Sequence, residues 1–177
     1  MRDLLPPIAR HALPPLSESL GAPAPDAATP IFAVAITVSP DETSALVPHA
    51  NNIAILGWVD LAASLHGAHA GASREEVARA GRMWFVARHE IDYLAETFAG
   101  DPLVLATWVE RAGRTSLVRA TAILRPDGTA VARARSRWAF VDLATRRPTA
   151  IPSDVLARLT GGASAAAPKK NPVRSEF

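Results

Sequence analysis

His49, Asn51 and Asn52 stand just ahead of a long apolar run. An imidazole and two carboxamides at the head of a helix are parts from which a site that polarises a carbonyl and directs water at it can be built. Either asparagine can cap a helix running from Ile53 to His66. The unpaired N–H groups of its first turn, near Asn52 and Ile53, then point at any oxygen placed before them, and the helix dipole adds to the attraction. His49 can donate to that oxygen or hold a water, and Asn51 can position it. The structural alternative is that both asparagines only cap the helix and His49 is a loop histidine. Asp60 is a carboxylate inside the same apolar run, costly there unless it is paired or faces a wet cleft. In a cleft it serves as a base, and at a rim it pairs with an arginine.

Other polar clusters carry less. Arg133, Arg135 and Arg137 alternate along one strand, where guanidinium forks suit phosphate but a hydrated face explains them equally. Arg146 and Arg147 are a second basic pair suited to phosphate. Glu90 and Asp92 read as exposed strand charges. His66 and His69, with Glu75 and Glu76 nearby, do not make a convincing metal site, and neither a metal nor a cofactor is expected. Trp58, Trp84, Trp108 and Trp138 can line an apolar slot, although buried tryptophans more often form core.

The elements that must hold these groups follow from periodicity. Ile31 to Val38 is a β-branched run closed by Ser39-Pro40-Asp41, hence a strand and a turn. Ile53 to His66 is apolar around almost its whole circumference, which predicts a buried helix. Ser73 and Glu76 form a capping box that predicts a short helix near 74–80. After Gly81 the period changes to two: Trp84, Val86, Arg88 and Glu90 alternate with Phe85, Ala87, His89 and Ile91. Strands follow over Leu103 to Glu110, Thr115 to Arg125 and Thr129 to Asp142, joined by Arg111-Ala112-Gly113-Arg114 and Pro126-Asp127-Gly128. In the last strand Ala132, Ala134, Trp138 and Phe140 share the packed face. The predicted order is a strand, a buried helix and about four strands in a meander, with a last short helix after Pro152 that ends near Gly161.

Composition bounds the rest. The chain has 177 residues, 49% hydrophobic and 20% charged, enough for one domain with a substantial core. Its 19 Lys plus Arg against 17 Asp plus Glu leave +2, so nucleic acid is not an expected partner. Without cysteine it has no disulfides, thiolate zinc site or cysteine nucleophile. Residues 1–30 hold seven of the 15 prolines and read as an irregular arm, in which Ile8 to Leu13 can form a helical turn or pack onto the body. These prolines break any signal-like h-region, and Ile53 to Leu65 is too short to span a bilayer, so a soluble, cytoplasmic protein is expected. The domain is expected over 31–160, followed by a mobile tail over 161–177.

A long helix wrapped by an antiparallel sheet is the hot-dog fold, of class α+β, and the residues support more than the architecture. His49-Ala50-Asn51-Asn52-Ile53-Ala54-Ile55-Leu56-Gly57-Trp58 resembles the H-V-N-N-x-x-Y-x-x-W signature of acyl-ACP and acyl-CoA thioesterases in the 4-hydroxybenzoyl-CoA thioesterase-like superfamily. His89 to Leu94, Gly100-Asp101-Pro102-Leu103 and Thr107 are similar to its I-x-Y-x-x-P-x-x-x-G-D-x-L segment. Trp138 to Asp142, Arg147-Pro148 and Ile151-Pro152 are similar to its closing strand and R-P-x-x-I-P segment. The likeness covers roughly residues 31–156.

The resemblance implies a thioester bound beside the helix N-terminus, at a boundary between two subunits that pair their sheets edge to edge. It implies an acyl-CoA or acyl-ACP substrate in fatty acid metabolism and a homodimer, with a tetramer as a larger assembly. His49, Asn51 and Asp60 are then the candidate catalytic residues, with Asn52, Ile53, Trp58, Arg146 and Arg147 against the substrate. The chain departs from the family in its loop. Where an aspartate usually stands four residues before the histidine, this sequence has Ala45, or Ser44 if one residue is inserted, and Val47 replaces the asparagine of the plant enzymes. The carboxylates nearby in sequence are Asp41, Glu42 and Asp60. A catalytically silent acyl-thioester binding or scaffold protein is therefore the alternative. A hot-dog dehydratase or hydratase would want an Asp/His or Glu/His pair, and no such spacing is evident.

Overall fold

The computed structural model describes residues 6–14, 16, 25 and 28–162. Its elements are β1 (Phe32–Thr37), α1 (Asn52–His69), α2 (Arg74–Arg79), β2 (Arg82–Tyr93), β3 (Pro102–Ala112), β4 (Ser116–Leu124), β5 (Ala130–Asp142) and α3 (Ser153–Thr160). All five strands form one antiparallel sheet in the order β1-β3-β4-β5-β2. This is the hot-dog arrangement, α+β, with α1 packed against one face of the sheet. The expected four-strand meander holds only for β3 to β5. β2 instead crosses to the far side of β5 and forms the sheet's edge, because the loop 94–101 is long enough to carry the chain across.

Alternation sorts the inner face. Phe32, Val34 and Ile36 from β1, Leu103 and Leu105 from β3, Ile123 from β4 and Ala132 and Ala134 from β5 pack against Ile55, Trp58, Val59 and Ala62 of α1. The outer face is partly covered by the N-terminal arm. Its one described helical turn is a 3-10 turn at Arg10–Ala12, while Ile8 and Leu13 pack over Ala33, Val104 and Ala106. Both readings of that segment therefore hold. The tail beyond Gly162 lies outside the described residues.

Two periodicity expectations need correction. α1 is not buried on every side: Asn52, Ile53 and Gly57 are exposed, because one five-stranded sheet covers only one flank of a helix. The alternation in β2 is broken at Ala87, where the register slips between Val86 and Arg88. The bulge turns His89 and Ile91 to the same side as Trp84, so Ile91 packs on the core and His89 reaches Ser136. The Ser73/Glu76 capping box forms as expected, and Gly161 ends α3 in the left-handed region at φ 63°.

The inner face also holds buried polar groups. Thr107 and Thr121 hydrogen-bond to each other at 3.0 Å, and Arg119 meets His66 Nδ1 at 2.5 Å. Phe32 stacks on His66 with ring centroids 5.5 Å apart. Burial first, and the charge of Arg119 second, lower the His66 pKa from 6.5 to about 3. As pH falls below 6.5 the unfolded chain takes up a proton that the folded chain refuses until about pH 3, so folding stability is lost through that window. His89, lowered by partial burial, adds to the same slope. Denaturant midpoints are expected to decline on acidification from pH 6.5, less steeply in His66→Gln. Equal slopes for the two proteins would refute this assignment.

Candidate active site

Asn51 is the N-cap of α1: its extended backbone stops the helix and its Oδ1 accepts the Ala54 N–H at 2.8 Å. The Asn52 and Ile53 N–H groups have no protein partner among the described residues and face outward from the first turn. The loop before the helix is held by Glu42. Its carboxylate accepts from the Ser39 N–H at 2.8 Å and from Trp58 Nε1 at 2.7 Å, and its carbonyl accepts the Asn51 N–H at 2.9 Å.

The Gly100-Asp101 turn supplies the other wall. Gly100 sits at φ +90°, a conformation that side chains rarely tolerate, and lets Asp101 fold back. Asp101 Oδ2 accepts from Phe98 N–H and Thr97 Oγ1, both at 2.9 Å, and these bonds hold its carboxyl below the usual range. Thr97 so anchored accepts the Ala50 N–H at 2.7 Å through its carbonyl, and His49 pairs with Phe98 as an antiparallel bridge. The turn thus docks the segment 94–98 against the histidine loop.

Between these walls lies an open cleft of about 250 Å³, lined by His49, Asn52, Ile55, Tyr93, Leu94 and Glu96, among others. His49 Nδ1 lies 3.4 Å from Glu96 Oε1, at ion-pair distance without a formed hydrogen bond. The Glu96 side chain is 67% exposed. Leu46, Val47, Leu94 and Phe98 in the loops, with Ile53 at the start of α1 and Tyr93 at the end of β2, leave much apolar surface exposed around the cleft. Three elements therefore meet: outward-facing N–H donors, an imidazole beside a carboxylate, and apolar walls. Such a set can polarise a carbonyl, hold a water and bind an acyl chain.

The structure brings His49 and Asn52 to the cleft, whereas Ile53, 77% exposed in the first turn of α1, is not among its lining residues and Asn51 is spent on the cap. Asp60 lies two turns further on and pairs with Arg74 at 2.5 Å, with its side chain 41% exposed. Trp58 is 1% exposed and packs in the core, and it is not among the residues that line this cleft. Arg146, at φ 58°, stacks over Phe85, and Arg147 accepts the Asp142 N–H through its carbonyl. Both stand near the start of β2, the end opposite Glu96. Arg133 and Arg135 pair with Asp92 and Glu110, and Glu90 pairs with Arg88. His66 and His69 both pack against the Phe32 ring. Sequence reasoning missed Glu96. It lies 47 residues from His49 with no shared spacing, and only its place just before the Gly-Asp turn hinted at it.

Residues 44–159 match the model of the thioesterase-like superfamily. No curated protein matches the chain by sequence. Among solved structures it is similar to a candidate oleoyl thioesterase from Lactobacillus plantarum (TM-score 0.73, 19% identity), covering 85% of this chain and 58% of that one. It is also similar to a 1,4-dihydroxy-2-naphthoyl-CoA thioesterase from Synechocystis (TM-score 0.68, 16% identity, 73% and 96%). An acyl-ACP thioesterase from Bacteroides thetaiotaomicron gives TM-score 0.66 at 20% identity, over 82% of this chain and 58% of that one. The chain thus spans less than two thirds of the Lactobacillus and Bacteroides proteins. No described helix is long and apolar enough to cross a membrane.

Proposed function

The chain belongs to the thioesterase-like superfamily, and from that premise we propose that it hydrolyses an acyl-CoA or acyl-ACP thioester in the cleft at the head of α1. The observation that carries this reading is the His49–Glu96 pair beside the free N–H groups of Asn52 and Ile53. The thioester carbonyl sits against the helix N-terminus, where those donors stabilise the oxyanion that forms as water attacks. Glu96 accepts the water's proton through His49 or holds the imidazole in the tautomer that does. It thereby supplies, from the β2–β3 connection, the carboxylate that the loop lacks. The thiol leaves with a proton returned from the same pair, so no other base is required. Fatty-acyl metabolism in the cytoplasm is the setting this role implies.

The edge strand β2 supports a homodimer. Its outer edge is unpaired, Phe85 and Val86 on it are about 40% exposed, and Ile53 beside the cleft is 77% exposed. A two-fold axis pairing two β2 edges antiparallel sets the 82–85 end of one chain against the 93–96 end of the other. That arrangement places the Arg146-Arg147 turn of one chain beside the His49 cleft of the other, where it can take the phosphates of a CoA. Sedimentation is expected to give twice the chain mass, and Val86→Asp to give a monomer; a monomeric wild type would exclude the pairing.

The decisive experiment is turnover against a panel of acyl-CoA and acyl-ACP thioesters. Free thiol release well above background for at least one acyl chain is expected. Saturable thermal stabilisation by these thioesters without turnover would instead establish the silent binder, which the missing loop aspartate favours. Neither turnover nor stabilisation would end the proposal.

A further inference from the structure

On the inner face of the sheet, away from the His49 cleft, β4 places an arginine among apolar neighbours. Arg119 is 5% exposed, and its register partners are Val109 and Ser136. Its side chain bonds to His66 Nδ1 at 2.5 Å, and no carboxylate lies within ion-pair distance among the described residues. His66 is held neutral by burial, so the acceptor brings no negative charge. Burial alone lowers the Arg119 pKa to about 10, with no carboxylate raising it. A buried cation without a counter-charge is costly, and folded proteins normally pair it.

Beside Arg119 is a cavity of about 30 Å³ whose walls include Ser64, Arg74, Trp84 and Trp138. Arg74 is already matched by Asp60, and the Ser64 hydroxyl donates to the Asp60 carbonyl at 2.9 Å. The local balance is therefore two guanidiniums against one carboxylate, which leaves room for one monoanion. Trp138, another residue of the cavity wall, is 4% exposed, and its Nε1–H is buried with no acceptor. The volume holds about two waters or one carboxylate head. The guanidinium fork favours a planar carboxylate over a spherical anion.

We propose that this cavity is a carboxylate-binding site, in which Arg119 takes the head group of a small organic acid and the Trp84 and Trp138 rings flank it. The carboxylate can arrive on a free acid or at the far end of a dicarboxylic acyl chain. The free-acid arm does not depend on thioester hydrolysis, so loss of the hydrolase reading leaves it intact.

The test is thermal melting of the full chain in sodium acetate and sodium propionate against sodium chloride at equal ionic strength, and in glutaryl-CoA against butyryl-CoA. A saturable rise in Tm of about 5 °C with the carboxylates over chloride is expected at saturation, and it is lost in Arg119→Gln. An Arg119-dependent advantage of glutaryl-CoA over butyryl-CoA assigns the site to an acyl-borne carboxylate, whereas a response to the free acids alone assigns it to those. If Arg119→Gln does not fold, Arg74→Gln replaces it and is expected to weaken half-saturation at least threefold. The proposal is overturned if chloride matches the carboxylates and the two CoA thioesters act alike. It is equally overturned if the folded variant responds as the wild type does.

Discussion

His49→Gln and Glu96→Gln are each expected to lower kcat on the best thioester by about 10² to 10⁴, with little change in Tm. Both side chains stand at the cleft, partly exposed, so glutamine fits without leaving a cavity. The two groups lie 3.4 Å apart, and the proposed mechanism has them act on one proton. The double variant should then lose little more than either single one, the signature of residues that work as a unit. Asn52→Pro belongs in the same series. Proline suits the first helical position, and Asn51 before it is already extended (φ −80°, ψ 162°), so the fold should tolerate the change while one carbonyl-facing N–H disappears. Its expected cost is about 10² to 10³ in kcat. Strictly additive losses for His49 and Glu96, or an unaffected Asn52→Pro enzyme, would remove the mechanism while leaving the fold untouched.

Trp58→Ala is expected to cost about 3–5 kcal/mol of folding stability, read as a shift of the denaturant midpoint at constant slope. Trp58 is among the largest fully buried side chains, set between α1 and the sheet, and its indole N–H is taken by Glu42. The same Glu42 accepts from Ser39 and, through its carbonyl, from Asn51. Removing the indole therefore opens a core cavity and releases one tie on the loop that leads to His49. Trp58→Phe keeps most of the packing but leaves Glu42 without that donor, so it should cost less stability. A loss below about 1 kcal/mol for Trp58→Ala would mean that the helix is not seated by this residue.

The elements were legible because their signals are local. Apolar period and capping chemistry placed α1, and Ser73 with Glu76 placed α2 to within a residue or two. The strands followed from alternation and from Gly and Pro turns. The bulge at Ala87 was not legible, since a one-residue slip changes which side chains face inward without altering composition. The crossing of β2 to the sheet edge was likewise hidden, because neither antiparallel neighbour is marked in the residues themselves.

The site divides the same way. The helix N-terminus, an asparagine cap and the presence of His49 follow from short-range spacing, and the sequence determined them, while the choice of Asn51 over Asn52 as the cap came from the structure. That Asp60 is answered by Arg74, that Trp58 points into the core and that Glu96 comes to face His49 depends on which strand lies beside which. The unmatched Arg119 on the inner face is of the same kind. Such facts belong to the tertiary structure, because the energy of a charge is set by what surrounds it in space, and neighbours in space here come from 14 to 53 residues away along the chain.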